Sequence, residues 1–190
     1  MKKTILFVAI ALFNTTLFAQ SRWKSDPMHS KLAFSTTHLG ISDVTGLFKK
    51  FEATVTTSKD DFSDAVFDLS TEIASIDTEV EMRDNHLKSA DFFDAEKFPT
   101  LTYKSTSIKK TGKNKYALTG NLTLHGITRP ITMQLWYRGT IVNPQSKATV
   151  AGFQLTGVLK RSDFNLGPNF AAPMISNEVE IKADGEFIKQ

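Results

Sequence analysis

The chain contains no cysteine at all. Disulfides, thiolate nucleophiles and cysteine-ligated metals are excluded, so stability rests on packing and strand pairing. It also lacks the local signatures of common catalytic and nucleotide sites. There is no GxSxG for an activated serine, no HExxH or HxH for zinc, and no GxGxxG or P-loop for a phosphate. No apolar run reaches the roughly 20 residues of a membrane-spanning helix.

An excess of one charge is missing too, although a pI near 9.0 suggests otherwise. Two of the 23 basic residues, Lys2 and Lys3, fall in the first nineteen positions, and none of the 20 acidic ones does. Those positions carry a positive start, an apolar run from Ile5 to Leu12 and Ala19 before a polar stretch. This is the pattern of a secretory leader, with cleavage expected after Ala19. The remainder then has 21 basic against 20 acidic residues, interleaved throughout, which leaves no footprint for nucleic acid. The expectation is a leader over 1–19, one domain over 20–190, and a periplasmic or secreted location.

What is present after Trp23 is a period of two. Ala65, Phe67, Leu69 and Ile73 share one face, and Val66, Asp68, Ser70 and Glu72 the other. Tyr116, Leu118, Leu122 and Leu124 repeat the pattern, as do Ile131, Met133, Leu135 and Tyr137; Phe51, Ala53 and Val55; Phe153, Leu155 and Leu159; and Val179 and Ile181. Turn residues separate these runs at Thr111–Asn114, Gly126–Pro130 and Asn143–Ser146. Short connections imply antiparallel neighbours, and about eight strands with one apolar face each imply an all-β closed sheet or a sandwich. Helical spacing is confined to Glu81–Phe98, stopped by Pro99, which predicts one or two short helices. A minor turn is expected over Ile41–Thr45, and Arg129-Pro130 is expected to open a strand.

Four histidines, His29, His38, His86 and His125, are far apart in sequence and predict no metal site. The densest polar stretch, Ser75–Asp94, gathers Asp77, Glu79, Arg83, Asp84 and His86. Such a cluster can do acid–base chemistry. It can equally fix a long loop across a barrel mouth, the reading preferred here because a loop of this length must satisfy its backbone. The alternative, an enzyme or metal protein, requires His86, Asp84, Asp77 and His29 to converge in the fold. Twelve of the 15 phenylalanines lie beyond Ala19, enough to fill a small barrel or to line one.

Taken in order, several segments carry a resemblance: W-K-S-D-P-M-H-S from Trp23, F-S-T-T-H-L-G-I-S-D-V-T-G-L-F from Phe34, S-I-D-T, R-D-N-H-L and D-F-F-D, F-P-T-L-T-Y from Phe98, G-N-L-T-L-H-G-I-T-R-P, and K-R-S-D-F-N-L from Lys160. Together they resemble the YceI-like family of exported polyisoprenoid-binding proteins over nearly the whole chain beyond the leader. Two departures fall at loops: Glu79 and Asn165 stand where glycine is common in the family. The resemblance implies an extended antiparallel lipocalin-like β-barrel whose interior takes a polyisoprenoid, an isoprenoid quinone or a fatty-acid-like lipid. It implies neither a catalytic step nor a cofactor, and a homodimer is compatible with it. With strand parity, it assigns an apolar lining to Phe34, Phe51, Phe67, Leu69, Ile73, Phe93, Tyr103, Leu118, Leu122, Leu135, Phe153 and Leu155. Head-group contacts are expected from His38, Arg83, His86 and Arg161.

Overall fold

Alternation of apolar and polar side chains is satisfied by strands that bury one face, and the chain builds eleven of them in the computed structural model, which describes residues 20–190. The leader assigned to 1–19 lies outside the described residues. In chain order they are β1 (Ser21–Ser25), β2 (Lys31–His38), β3 (Ser42–Phe48), β4 (Phe51–Thr57), β5 (Val66–Glu72), β6 (Ile76–Asp77), β7 (Thr100–Gly112), β8 (Lys115–Leu124), β9 (Ile127–Val142), β10 (Thr149–Lys160) and β11 (Ile175–Lys189). One helix, α1 (Glu81–Lys88), sits in the connection between β6 and β7.

Three pairs of segments act as single bent strands. β1 and β2 run along β11 one after the other, with Trp23 opposite Lys189 and Lys31 opposite Asp184. β4 and β3 pair with β1 and β2 in the same way, and β5 and β6 pair with β4 and β3. The result is an eight-stranded, closed, antiparallel barrel in which each strand pairs with its sequence neighbours and β11 closes on β1 and β2. Closure leaves few backbone donors unpaired, the general remedy for exposed sheet edges.

Strand parity decides which side chains face inward. Tyr116, Leu118, Leu122 and Leu124 of β8 are buried, as are Ala53 and Val55 of β4 and Met133 and Leu135 of β9. Phe67 is buried while its neighbour Val66 is exposed. One end of the barrel is plugged by Phe62, which reaches in from the β4–β5 loop. Its ring lies 4.8–5.3 Å from those of Trp23, Tyr137 and Phe153. At this spacing aromatic pairs add about 0.5–1.5 kcal/mol beyond their area burial.

One local expectation is sharpened and two need correction. The helical spacing over Glu81–Phe98 forms a helix only to Lys88; thereafter Asp94, in the left-handed region at φ 46°, and the bond from its N–H to the Ser89 carbonyl fold the chain into turns. The minor turn falls at Leu39-Gly40 rather than over Ile41–Thr45, so that Ser42 to Phe48 extends as β3. Pro130 is the fourth residue of β9, because His125 and Gly126 alone make the turn, both with positive φ as a two-residue hairpin requires. Proline is tolerated there because β9 pairs with β10 only from Gln134 onward, leaving residues 127–133 a partner in β8 alone.

Candidate functional site

The barrel end opposite Phe62 is covered by two loops, one carrying α1 and one running from Arg161 to the start of β11. The covering is aromatic. Phe92 stacks on Phe170 at 4.8 Å, and the His86 ring packs edge-on against both, at 5.1 and 5.4 Å. Phe92 also lies over Gly167 so closely that a Cβ there would stand 2.5 Å from its ring. Glycine is required at that contact. Phe98 seats on Gly126 in the same manner.

Beneath this cover lies a cavity of about 330 Å³. Its walls come from β2 and β3 (Phe34, Val44, Phe48), the helix loop (Leu87, Phe92, Phe93), β7 and β8 (Leu101, Leu124), and β10 with β11 (Leu159, Val179, Ile181). The second loop adds Leu166, Phe170 and Met174. Apart from the Thr36 hydroxyl, the polar lining is His38, Arg83, His86 and Arg161. The exposed members His38, His86 and Met174 mark its mouth. A mostly apolar pocket with a few polar groups at one end is the usual form of a small-molecule site, and this volume is at the lower end of the range for such sites, about 300–1,000 Å³.

The four polar residues differ in what they have left to offer. Arg161 is buried and spends all five N–H groups on backbone carbonyls: Nε on Ser176 at 3.0 Å, Nη1 on Leu166 and Gly167 at 2.8 and 2.7 Å, and Nη2 on Ile175 at 3.1 Å and on Phe170. Burial holds its pKa below the ordinary arginine value. It is the frame of the second loop rather than a free head-group donor. Arg83 uses Nε and one Nη2 hydrogen on Thr78, at 2.8 and 2.6 Å, and its Nη1 has no acceptor among the described residues. His86 bonds Asp91 at 3.0 Å. His38 ends β2 at the mouth.

The twelve expected lining residues divide by height along the barrel. Phe34 and Phe93 line the cavity just described. Phe51, Phe67, Leu69, Tyr103, Leu135, Phe153 and Leu155 surround a second, lower cavity of about 50 Å³. Ile73, Leu118 and Leu122 border neither and are packed into the core. Among the lining residues not anticipated, Leu124, Leu159, Val179 and Ile181 were on recognised inward faces. Phe92, Leu166, Phe170 and Met174 come from loops, where no period marks them.

The charged stretch Ser75–Asp94 is engaged locally. The Asp84 carboxylate is buried and accepts from the Thr78 N–H at 2.8 Å and hydroxyl at 2.5 Å, pinning the turn that enters α1. Asp77 pairs with Lys49 and accepts the Glu79 N–H at 2.8 Å; hydrogen bonding to the Lys49 ammonium lowers its pKa. Glu79 and Asn165, the two departures from glycine, both occupy the left-handed region, at φ 65° and 54°. Among the described residues, the three-ligand grouping of metal-binding type is Asp26, His29 and Glu186 at the β1–β2 corner, which does not include His86, Asp84 or Asp77. There the Asp26 carboxylate bonds the His29 ring at 2.8 Å, raising the histidine pKa and lowering its own.

A YceI-like domain model matches residues 23–187. The chain belongs to the YceI-like family. It is similar to Protein YceI of Salmonella arizonae, with 36% identity over 194 residues covering the whole of both chains. Among solved structures, BcnA of Burkholderia cenocepacia superposes with a TM-score of 0.77 at 26% identity, over 85% of this chain and 98% of that one. A polyisoprenoid binding domain from Saccharophagus degradans, at 16% identity, shares the fold with a TM-score of 0.68 over 90% of this chain and all of the other. The YceI-like barrel here therefore has a closed wall, a plugged end and an apolar cavity beneath an aromatic cover, the architecture of a binding protein.

Proposed function

We propose that this YceI-like chain binds an amphiphilic lipid with an isoprenoid or similar apolar tail, carrying or storing it beyond the inner membrane after removal of residues 1–19. The observation that carries the reading is the cavity of about 330 Å³, lined by aliphatic and aromatic side chains with its polar groups gathered at the mouth. A tail placed there leaves water entirely. Each buried methylene contributes about 0.8 kcal/mol of transfer free energy, so ten supply about 8 kcal/mol against an association cost of about 4–15 kcal/mol. The tail is thus a large favourable contribution, of the same order as the association cost. The head group then adds selectivity at Arg83, whose Nη1 faces no protein acceptor among the described residues, with His38 and His86 beside it.

The polar groups that an enzymatic reading would recruit hold the cover in place instead, Asp84 on Thr78 and His86 on Asp91. The test is mass spectrometry of organic extracts from protein expressed with its leader and recovered from the periplasm under non-denaturing conditions. A stoichiometric amphiphile retained by the wild type and lost from Val179→Asp is the expected result. Folded protein with no extractable lipid, and no binding of added prenyl or alkyl amphiphiles, would overturn the proposal.

A further inference from the structure

The near balance of charge over residues 20–190 conceals a segregation, and the expectation of interleaved charges is overturned by position. From Lys97 to Ser162 the chain carries eight lysines and three arginines and no aspartate or glutamate; all 20 acidic residues lie outside that stretch, with the remaining ten basic ones beyond the leader. The stretch builds β7, β8, β9 and β10. Because each strand of this barrel pairs with its sequence neighbours, a run of one charge in sequence becomes one continuous wall in space. Three of the eleven cations reach a carboxylate, each on another part of the barrel: Lys104 on Asp68, Lys110 on Asp61 and Arg138 on Asp184. Arg161 is buried on its five carbonyls. The other seven have no ion-pair partner among the described residues.

The cations are densest at the barrel end plugged by Phe62. Lys109, Lys113 and Lys115 surround the β7–β8 turn and Lys147 lies in the β9–β10 turn, and all four are exposed. Register brings the two turns together: Lys115 opposes Trp136, and the Tyr137 N–H bonds the Asn114 carbonyl at 2.9 Å. β8 stops there, whereas the β9–β10 hairpin runs on for roughly 15 Å to Val142. Its apolar residues have no cover. Ile141 is 64% exposed and Val142 61%, and since neighbours on a strand point to opposite faces, the tip is bare on both. Trp136 at its base is 41% exposed, with the Arg138 guanidinium 4.6 Å from its ring.

Exposed lysines around a bare apolar tip suit one kind of partner. A nucleic acid would match the charge and gain nothing from Ile141 and Val142, whereas the interface of an anionic bilayer takes cations at its head groups and apolar side chains beneath them. We propose that the Phe62 end of the β7–β10 wall docks this chain on an anionic lipid bilayer, with Ile141 and Val142 in the interface and the four lysines over the head groups. The mouth of the ligand cavity is at the opposite end and stays open. Docking is therefore separate from lipid binding in the barrel, and neither reading depends on the other.

The experiment is co-sedimentation of the protein, recovered from the periplasm as above, with vesicles of phosphatidylcholine alone or mixed three to one with phosphatidylglycerol. Each lysine at an anionic surface contributes about fivefold to partitioning, so Lys113→Glu/Lys115→Glu should lower it at least about 25-fold on the mixed vesicles. Lys24→Glu/Lys31→Glu, which changes the net charge equally but on β1 and β2, should change it by less than about threefold. Ile141→Ser/Val142→Ser keeps every charge and should lower it at least about tenfold. All three variants should unfold at the wild-type temperature, because every substituted side chain is exposed. Wild type that stays in solution beside the mixed vesicles at low ionic strength, binds neutral vesicles equally well, or loses as much in the β1–β2 control overturns the proposal. Binding that falls with the lysines and is untouched by the serine pair marks a surface for a soluble polyanion and overturns the choice of a bilayer.

Discussion

Replacing Arg161 by methionine removes five hydrogen bonds at once while keeping an unbranched, apolar side chain of similar reach. Two of the five acceptors, the carbonyls of Leu166 and Gly167, are bonded in fully buried contacts; those of Phe170, Ile175 and Ser176 are only partly buried and can turn to water. A buried acceptor left alone costs about 1–3 kcal/mol, so the two together predict a loss of about 2–6 kcal/mol, centred near 4. Urea unfolding measures it directly. With a slope of about 2–3 kcal/mol/M, the midpoint falls by about 1.5 M and the slope stays unchanged. Arg161→Lys, which can reach at most three of the five carbonyls, falls between the two proteins. The damage is also local: amide exchange should accelerate first in the segment from Ser162 to Ser176, and the cavity wall formed by Leu166, Phe170 and Met174 loosens with it. A methionine variant within about 1 kcal/mol of wild type would refute the reasoning, since it would mean that these carbonyls do not depend on the guanidinium.

Glu79→Gly should stabilise the fold. A non-glycine residue in the left-handed region costs about 1–2 kcal/mol, glycine gives back about 0.5–1 kcal/mol in unfolded-state entropy, and the net gain of about 0.5–1 kcal/mol raises the melting temperature by about 1–4 °C. The Asp26–His29 pair predicts a pH dependence with two limits. His29 has its folded pKa raised above 6.5, so its contribution is complete below that value and is lost as pH rises through the folded pKa. Asp26 has its folded pKa lowered below 3.8, so its contribution is complete above that value and is lost as pH falls through the folded pKa. An NMR titration should place the His29 midpoint above 6.5 and show it falling in Asp26→Asn; a midpoint at or below 6.5 in the wild type would contradict the pairing.

Much of the architecture was legible because a strand reports its buried side through a period of two. The faces containing Tyr116, Leu118, Leu122 and Leu124, or Phe51, Ala53 and Val55, follow from sequence spacing alone, and short turns between them imply antiparallel closure. The hairpin at His125-Gly126 was legible for a similar local reason. Pro130 was misplaced at a strand start because its tolerance inside β9 depends on β10 stopping short of it, a long-range fact. The short helix expected within Glu81–Phe98 is there, but its end at Lys88 was not legible, because the period continues while Asp94 turns the chain to bring Phe92 and Phe93 over the barrel mouth.

The sequence by itself determined the all-β class, the inward and outward sets of side chains and the family, because each is written in local periodicity or in ordered motifs. Only the tertiary structure decided which inward residues surround space and which fill it. Parity states the side of the sheet but not the height along the barrel, so Leu118 and Leu155 look alike until register places one in the packed wall and the other beside a cavity. The same holds for Arg161. It was expected to meet a ligand head group, but the five carbonyls that occupy it are assembled by a loop whose path no period encodes.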